Sequence, residues 1–159
     1  MRIVTMDPKK CVGCRNCEYA CSNNHQGTCD SKKSNIQVNY YPEENACIPL
    51  TCLHCEEAWC LSVCPANAIS RDEETNAVII DQDKCAGCKM CMLACPYGNI
   101  HFDKAKQVSR KCNLCGEGEP NCVSHCIAGA LNYEEVEDMT GNRKMTDGII
   151  MRSLKEGDK

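Results

Sequence analysis

The sequence predicts a small α+β domain whose short strands and helical turns are tied together by sulfur instead of by a large apolar core. Three observations carry that prediction. Eighteen of the 159 residues are cysteine, and sixteen of them fall into four runs of four. A cysteine content of roughly 11% marks a disulfide or metal scaffold. The chain holds one Phe and one Trp, so large side chains cannot fill much volume, whereas a metal site that exists only in the folded state contributes its binding free energy to folding. Finally, residues 64–69 (CPANAI), 95–100 (CPYGNI) and 126–131 (CIAGAL) are copies of one segment, the mark of a single domain made from internal repeats.

The elements follow in order. A first strand is expected at residues 2–5, ahead of the run Cys11, Cys14, Cys17, Cys21, spaced x2, x2, x3. Residues 36–40 form a second, and after Cys52, Cys55, Cys60, Cys64 (x2, x4, x3) residues 69–70 pair with 78–80 across the polar turn RDEETN. Cys85, Cys88, Cys91 and Cys95 repeat the x2, x2, x3 spacing, and residues 100–102 then pair with 107–109 across DKAK. The last run, Cys112, Cys115, Cys122, Cys126, is stretched to x2, x6, x3 and leads into a strand at 130–133. The three residues between third and fourth cysteine suit one helical turn, which puts both cysteines on one face and within reach of two neighbouring sites. Residues 22–50, with the two spare cysteines, read as a solvated loop. Residues 134–159, opening on Glu134, Glu135, Glu137 and Asp138, read as a charged tail, with partner docking as the sharper role for both segments.

Charge and composition narrow the function. The formal net charge is −4 and the basic residues are scattered singly or in pairs, which argues against nucleic acid as a partner. No stretch approaches the ~20 apolar residues of a membrane span, so direct membrane insertion is not expected. The first ten residues carry neither an apolar export core nor a twin arginine. A reducing, cytoplasmic setting follows, against the disulfide framework that would otherwise explain so many cysteines.

The x2, x2, x3 run closed by Cys-Pro is a known pattern of 4Fe–4S ligation in bacterial ferredoxins. Three cysteines at that spacing wrap three corners of a cubane, and Gly13 and Gly87 sit where a side chain would obstruct the wrap. The fourth corner lies too far round for the next cysteine, so the fourth ligand comes from another run. Pro65 and Pro96 turn the chain after it and remove a donor. Zinc is the alternative for any isolated CxxC pair, but a zinc ribbon stops at four thiolates in two pairs separated by ~15–20 residues. Sixteen ligands divide evenly among four cubes.

These motifs resemble the bacterial polyferredoxin-type electron-transfer subunits that carry four 4Fe–4S clusters. The resemblance covers residues 1–135, and its most specific parts are the four cysteine runs in order, CLHC at 52–55 and KCAGCKMCMLACPYG at 84–98. It implies two fused bacterial ferredoxin-like halves, motifs one and four forming one half and motifs two and three the other. The implied ligand sets are Cys11, Cys14, Cys17 and Cys126 for the first cluster, and Cys21, Cys112, Cys115 and Cys122 for the second. Cys52, Cys55, Cys60 and Cys95 would hold the third, and Cys64, Cys85, Cys88 and Cys91 the fourth. Members accompany molybdenum, tungsten or nickel oxidoreductases, including dimethyl sulfoxide reductase, formate dehydrogenase, formate hydrogenlyase, carbon monoxide dehydrogenase and the aldehyde ferredoxin oxidoreductase superfamily. The compact length and the tight fourth motif KCNLCGEGEPNCVSHC are similar to the small subunits beside tungsten aldehyde oxidoreductases, the related benzoyl-CoA reductases and carbon monoxide dehydrogenases. The expected partner is therefore a large tungsten- or molybdenum-containing catalytic subunit, with a flavin or ferredoxin protein as a further redox partner. Ile127 departs from the family's proline.

The remaining chemistry-bearing residues are few. Cys29 and Cys47 read as thiols without a role, packed as small hydrophobes. His54, between two ligands, reads as a hydrogen-bonding or tuning residue, while His25, His101 and His125 read as loop or surface residues. Arg15 and Lys89 occupy one position in motifs one and three, where a cation favours a reduced cluster, although a solvated role suits them better. Trp59 either shields a cluster from water or faces a partner. There is no nucleotide fingerprint and no nucleophile paired with a base, so no catalytic residue is expected and the chain reads as an electron wire. The alternatives are a freely diffusing polyferredoxin, a structural zinc protein and a self-sufficient enzyme. A subunit of a carbon monoxide dehydrogenase, formate dehydrogenase or hydrogenase is the variant within the family.

Overall fold

The computed structural model describes residues 1–135 apart from residue 117, so the expected tail at 136–159 lies outside the described residues. The architecture is mixed helix and strand, with four antiparallel two-stranded pairs. Strand β1 (Arg2–Met6) pairs with β8 (Leu131–Glu135), β2 (Gln37–Tyr41) with β3 (Ala46–Leu50), β4 (Ile69–Arg71) with β5 (Val78–Ile80), and β6 (His101–Asp103) with β7 (Val108–Arg110). The helices are α1 (Asn16–Gln26), α2 (Trp59–Ser62), α3 (Met90–Ala94) and α4 (Asn121–Ser124). Among the described residues no helix is long and apolar enough to cross a membrane.

Closing β1 on β8 brings the two ends of the described chain together in the register Arg2↔Glu135 to Met6↔Leu131. Glu134 and Glu135 thus belong to a strand and not to the tail. Glu134 accepts from Thr5 Oγ1 at 3.2 Å, and Glu135 pairs with the N-terminal ammonium at 2.8 Å.

The segment 22–50 departs furthest from expectation. Helix α1 runs through the first motif for 11 residues and stops at Gly27, whose left-handed backbone lets its N–H return to the Asn23 carbonyl. A 3₁₀ turn at Ser31–Lys33 follows, and β2 and β3 then form a hairpin whose Ile36 and Val38 are buried. Pro49 hid β3 from a sequence reading, since it has no N–H to give a ladder. It faces Val38 at a position where neither backbone pairs across the hairpin: the Val38 N–H turns outward to Glu18 Oε1, at 2.7 Å. The buried Glu18 carboxyl therefore ties α1 to β2.

The core falls into two groups. One gathers Val4, Ile36, Val38, Leu114 and Leu131 around Cys17, Cys21, Cys112 and Cys122, where α1 packs on α4. The other gathers Ile69, Val78 and Ile100 around Cys91, with Cys60, Cys64 and Cys95 beside it, where α2 packs on α3.

Candidate metal centres

Each cysteine run opens on the same backbone device. The residue before the second cysteine has positive φ in all four runs: Gly13 (69°), His54 (47°), Gly87 (67°) and Leu114 (59°). This reverses the chain direction, so the flanking cysteines face a common point. Glycine is required where the approach is closest. A Cβ on Gly87 would sit 2.3 Å from the Gln107 carbonyl oxygen, and one on Gly13 would sit 2.7 Å from Cys47 Sγ. In motifs one and three the residue after the second cysteine, Arg15 or Lys89, is also left-handed and starts the helix that carries the third cysteine.

Cysteines from different runs come together. Cys52, Cys55 and Cys60 of the second run line a cavity of about 250 Å³ with Cys95 of the third. A second, tighter cavity is lined by Cys85, Cys88 and Cys91 of the third run with Cys64 of the second. Around motif one, Cys126 lies close enough for its charge to act on Cys11 and Cys17, as does that of Cys14. Cys122 is acted on by Cys112, Cys21 and Cys115 in the same way. The groups also adjoin, since Cys112 is influenced by Cys52, and Cys122 by Cys17.

The donors suit a thiolate-bound inorganic cluster. Burial pushes the thiols of Cys17 and Cys112 up to about 12 and about 11, and raises those of Cys11, Cys60, Cys91, Cys115 and Cys122. Such thiols hold their protons until a metal displaces them. Backbone N–H groups already point at sulfur in every group: Ala130 at Cys126 (3.2 Å), Asn35 at Cys21 (3.3 Å), His54 at Cys52 (3.4 Å) and Ala68 at Cys64 (3.3 Å). Ser109 and Leu114 do the same for Cys85 and Cys112, both at 3.4 Å.

Three buried side-chain atoms lack a partner among the described residues: Glu18 Oε2, His54 Nε2 and Ser109 Oγ. All border these groups. Glu18 adjoins Cys17, Ser109 lines the cavity of Cys85, Cys88 and Cys91, and His54 lines the cavity of Cys52, Cys55, Cys60 and Cys95. His54 is fully buried, and its Nδ1 accepts the Val78 N–H at 3.0 Å. Burial, helped by the charges of Lys111 and Arg71, pulls its pKa down to about 3, so the imidazole is neutral.

Other residues fall where the sequence does not announce them. Lys111 is 5% exposed, lines the His54 cavity and donates to the Val78 carbonyl. Arg110, equally hidden, donates to Ser34 O, Asn35 Oδ1 and Lys32 O. His25 is no loop residue: it sits on α1 with Nε2 3.6 Å from Cys115 Sγ. His101 lies in β6, partly buried, with its pKa lowered to about 4 by burial and by Arg110. Trp59 is 60% exposed and also lines the cavity of Cys52, Cys55, Cys60 and Cys95, and Ile127 is 74% exposed. Cys29 is exposed, while Cys47 packs beside Gly13 and Cys11. The Lys89 ammonium stands 4.3 Å above the Phe102 ring.

The 4Fe-4S dicluster domain family matches residues 44–136. The polyferredoxin-like subunit of an aliphatic sulfonate oxidoreductase from Pyrococcus furiosus is 38% identical over 140 residues, covering 87% of this chain and 78% of its own. Electron transport protein HydN of Escherichia coli K12 is 35% identical over 94% of this chain and 98% of its own. A sulfite dehydrogenase subunit from Allochromatium vinosum is 31% identical, over 85% of this chain and 69% of its own. In fold, the chain is similar to one in the active-site complex BamBC of benzoyl-coenzyme A reductase, with a TM-score of 0.51 over 98% of this chain and 97% of that one, at 22% identity.

Proposed function

The chain belongs to the 4Fe-4S dicluster domain family, and from that premise we propose that it is a four-cluster wire seated beside a separate catalytic subunit. Its relatives make it a polyferredoxin-like iron–sulfur electron-transfer protein, homologous to subunits of oxidoreductases. In this reading all sixteen clustered cysteines are ligands. The first centre takes Cys11, Cys14, Cys17 and Cys126, and the second takes Cys21, Cys112, Cys115 and Cys122. The third takes Cys52, Cys55, Cys60 and Cys95, and the fourth takes Cys64, Cys85, Cys88 and Cys91.

The observation that carries this is the mixed lining of the cavities: each joins three cysteines of one run to the last cysteine of another. Each cluster, when bound, supplies a one-electron couple held by four thiolates. The protein's own part is to deliver those thiolates on turns of fixed hand, point N–H groups at the sulfurs, and set the order of stations. Cys17 and Cys21 on one helix join the first centre to the second, and Cys112 beside Cys52 joins the second to the third. Cys60 and Cys64 join the third to the fourth. The halves are then motifs one with four and two with three, matching the two core groups.

With every ligand position taken by cysteine, chemistry on a substrate belongs to another polypeptide, and a tungsten- or molybdenum-containing partner in the cytoplasm is the favoured one. Anaerobic co-purification with metal analysis tests this. A second, larger polypeptide carrying tungsten or molybdenum is expected, with about sixteen irons on this chain. The same iron without any second polypeptide refutes the subunit reading and leaves a free polyferredoxin.

A further inference from the structure

We propose that the third centre, held by Cys52, Cys55, Cys60 and Cys95, is the station that accepts an electron most readily, because the chain aims two buried donors at it: His54 Nε2–H and the Lys111 side chain. The inference rests on the four-centre reading above and adds an order of potentials to it.

The tautomer of His54 follows from geometry. Nδ1 accepts the Val78 N–H at 3.0 Å, so the ring proton is on Nε2, which is buried and has no acceptor among the described residues. A buried donor without a partner is costly, and such groups are almost always satisfied. The ring lines the cavity that Cys52, Cys55, Cys60 and Cys95 surround. The missing acceptor is therefore the sulfur of the group that fills it. Lys111 meets the same test. It is buried, lines the same cavity and has one acceptor among the described residues, the Val78 carbonyl. Among the described residues no carboxylate pairs with it. A buried positive charge needs a counter-charge, and its effect already reaches Cys60.

Both groups hold the centre more tightly after it has gained an electron, because the added negative charge strengthens a hydrogen bond and a Coulomb attraction. The step moves one electron from the adjoining station or the reductant, and neither donor gives up its proton. The other centres are less well furnished. The first has the Glu18 carboxyl beside it, which has no proton to spare toward sulfur when ionised. The fourth has the buried Ser109 hydroxyl, its neighbour Lys89 being exposed to water over the Phe102 ring; at the second, His25 stands 3.6 Å from Cys115 Sγ but is only partly buried, and Arg110 is already spent on three oxygen acceptors.

The test is an electron-paramagnetic-resonance redox titration of the intact holoprotein and of His54→Asn, whose side-chain oxygen still accepts from Val78 but whose reach ends short of Nε2. The first centre reduced is expected to lose about tenfold in its reduction equilibrium, about 59 mV for a one-electron couple, while the other midpoints stay. Lys111→Gln is expected to shift the same midpoint downward and Lys111→Arg to recover it. For a second readout, protein labelled with ¹⁵N-histidine is reduced by less than one electron and its electron–nuclear coupling recorded. Coupling to an imidazole nitrogen that carries an exchangeable proton is expected in wild type and in His25→Asn, which removes the ring beside Cys115 of the second centre, and is expected to vanish in His54→Asn. An uncoupled first-reduced centre, or a midpoint unmoved in both His54→Asn and Lys111→Gln, overturns the inference. A wild-type iron content well short of sixteen refutes the four-centre reading instead.

Discussion

Gly87→Ala separates the cost of a backbone conformation from the cost of a collision. Gly87 has φ of 67°, and a Cβ there would stand 2.3 Å from the Gln107 carbonyl oxygen, a backbone atom that cannot swing aside. Gly27, at 64°, has nothing within 4 Å of the same position. The left-handed conformation alone costs an alanine about 1–2 kcal/mol, and this is the whole expectation for Gly27→Ala. Overpacking against a fixed neighbour adds about 1–3 kcal/mol, so Gly87→Ala is expected to lose about 2–5 kcal/mol. Relief requires moving the turn between β6 and β7 away from the third motif, which carries Cys85, Cys88 and Cys91. The assay is anaerobic guanidinium denaturation followed by visible absorbance, with iron counted before unfolding. Gly27→Ala should keep all its iron and show only the smaller midpoint loss of about 1–2 kcal/mol, whereas Gly87→Ala should drop toward about twelve irons, the loss of one cubane. Equal midpoints with full iron in both variants would show that the close approach does not control the wrap.

Three further outcomes follow from the same geometry. Glu18→Ala leaves the buried Val38 N–H without its acceptor and is expected to destabilise the holoprotein by about 1–3 kcal/mol in the same denaturation assay; a change below experimental error would remove Glu18 as the link between α1 and β2. Gly13→Ala collides with a side-chain atom, Cys47 Sγ at 2.7 Å, so the part of its defect due to the collision should be rescued in Gly13→Ala/Cys47→Ala, leaving the cost of the left-handed backbone. A coupling of about 0.5–3 kcal/mol is expected from the double-mutant cycle, with Cys47→Ala alone keeping full iron; strict additivity would separate the two residues. Cys126→Ala should alter the same paramagnetic signal as Cys14→Ala, and Cys115→Ala a different one. If Cys126→Ala instead groups with Cys115→Ala, the exchange of ligands between motifs one and four is wrong.

The cysteine runs and the short hairpins that follow them were legible in the sequence; much of the remaining scaffold was not. Cysteine spacing is a local property imposed by the geometry of a cube, and the short hairpins after Cys64 and Cys95 are local too, so both were legible. The hairpin of β2 and β3 was not, because Pro49 argues against a strand unless it is known to sit at a position that makes no bond across the hairpin, and that is visible only through the Val38 to Glu18 bond. The length of α1 was hidden because SNNHQ has no apolar periodicity; its face is held by Glu18 and by Cys17 and Cys21. Lys111 was missed altogether. It reads as the residue before a ligand, one lysine among many, and nothing short of its burial beside the His54 cavity distinguishes it.

The left-handed position before each second cysteine shows how one motif came to do two jobs. Motifs one and three fill it with glycine, motifs two and four with His54 and Leu114, both 0% exposed. A side chain there costs about 1–2 kcal/mol in backbone conformation, so each must recover that elsewhere. Leu114 does so by burial in the first core group, worth about 1.5–3 kcal/mol for a leucine. His54 does so with the bond to Val78, which fastens motif two to β5 beside the cavity of Cys52, Cys55, Cys60 and Cys95 that its ring lines. Glycine serves where another backbone or side chain presses close, at Gln107 and Cys47. The two substituted motifs supply Cys112 and Cys52, which lie close enough for the charge of one to act on the other. The repeat is thus least regular in motifs two and four, where buried side chains take the place of glycine.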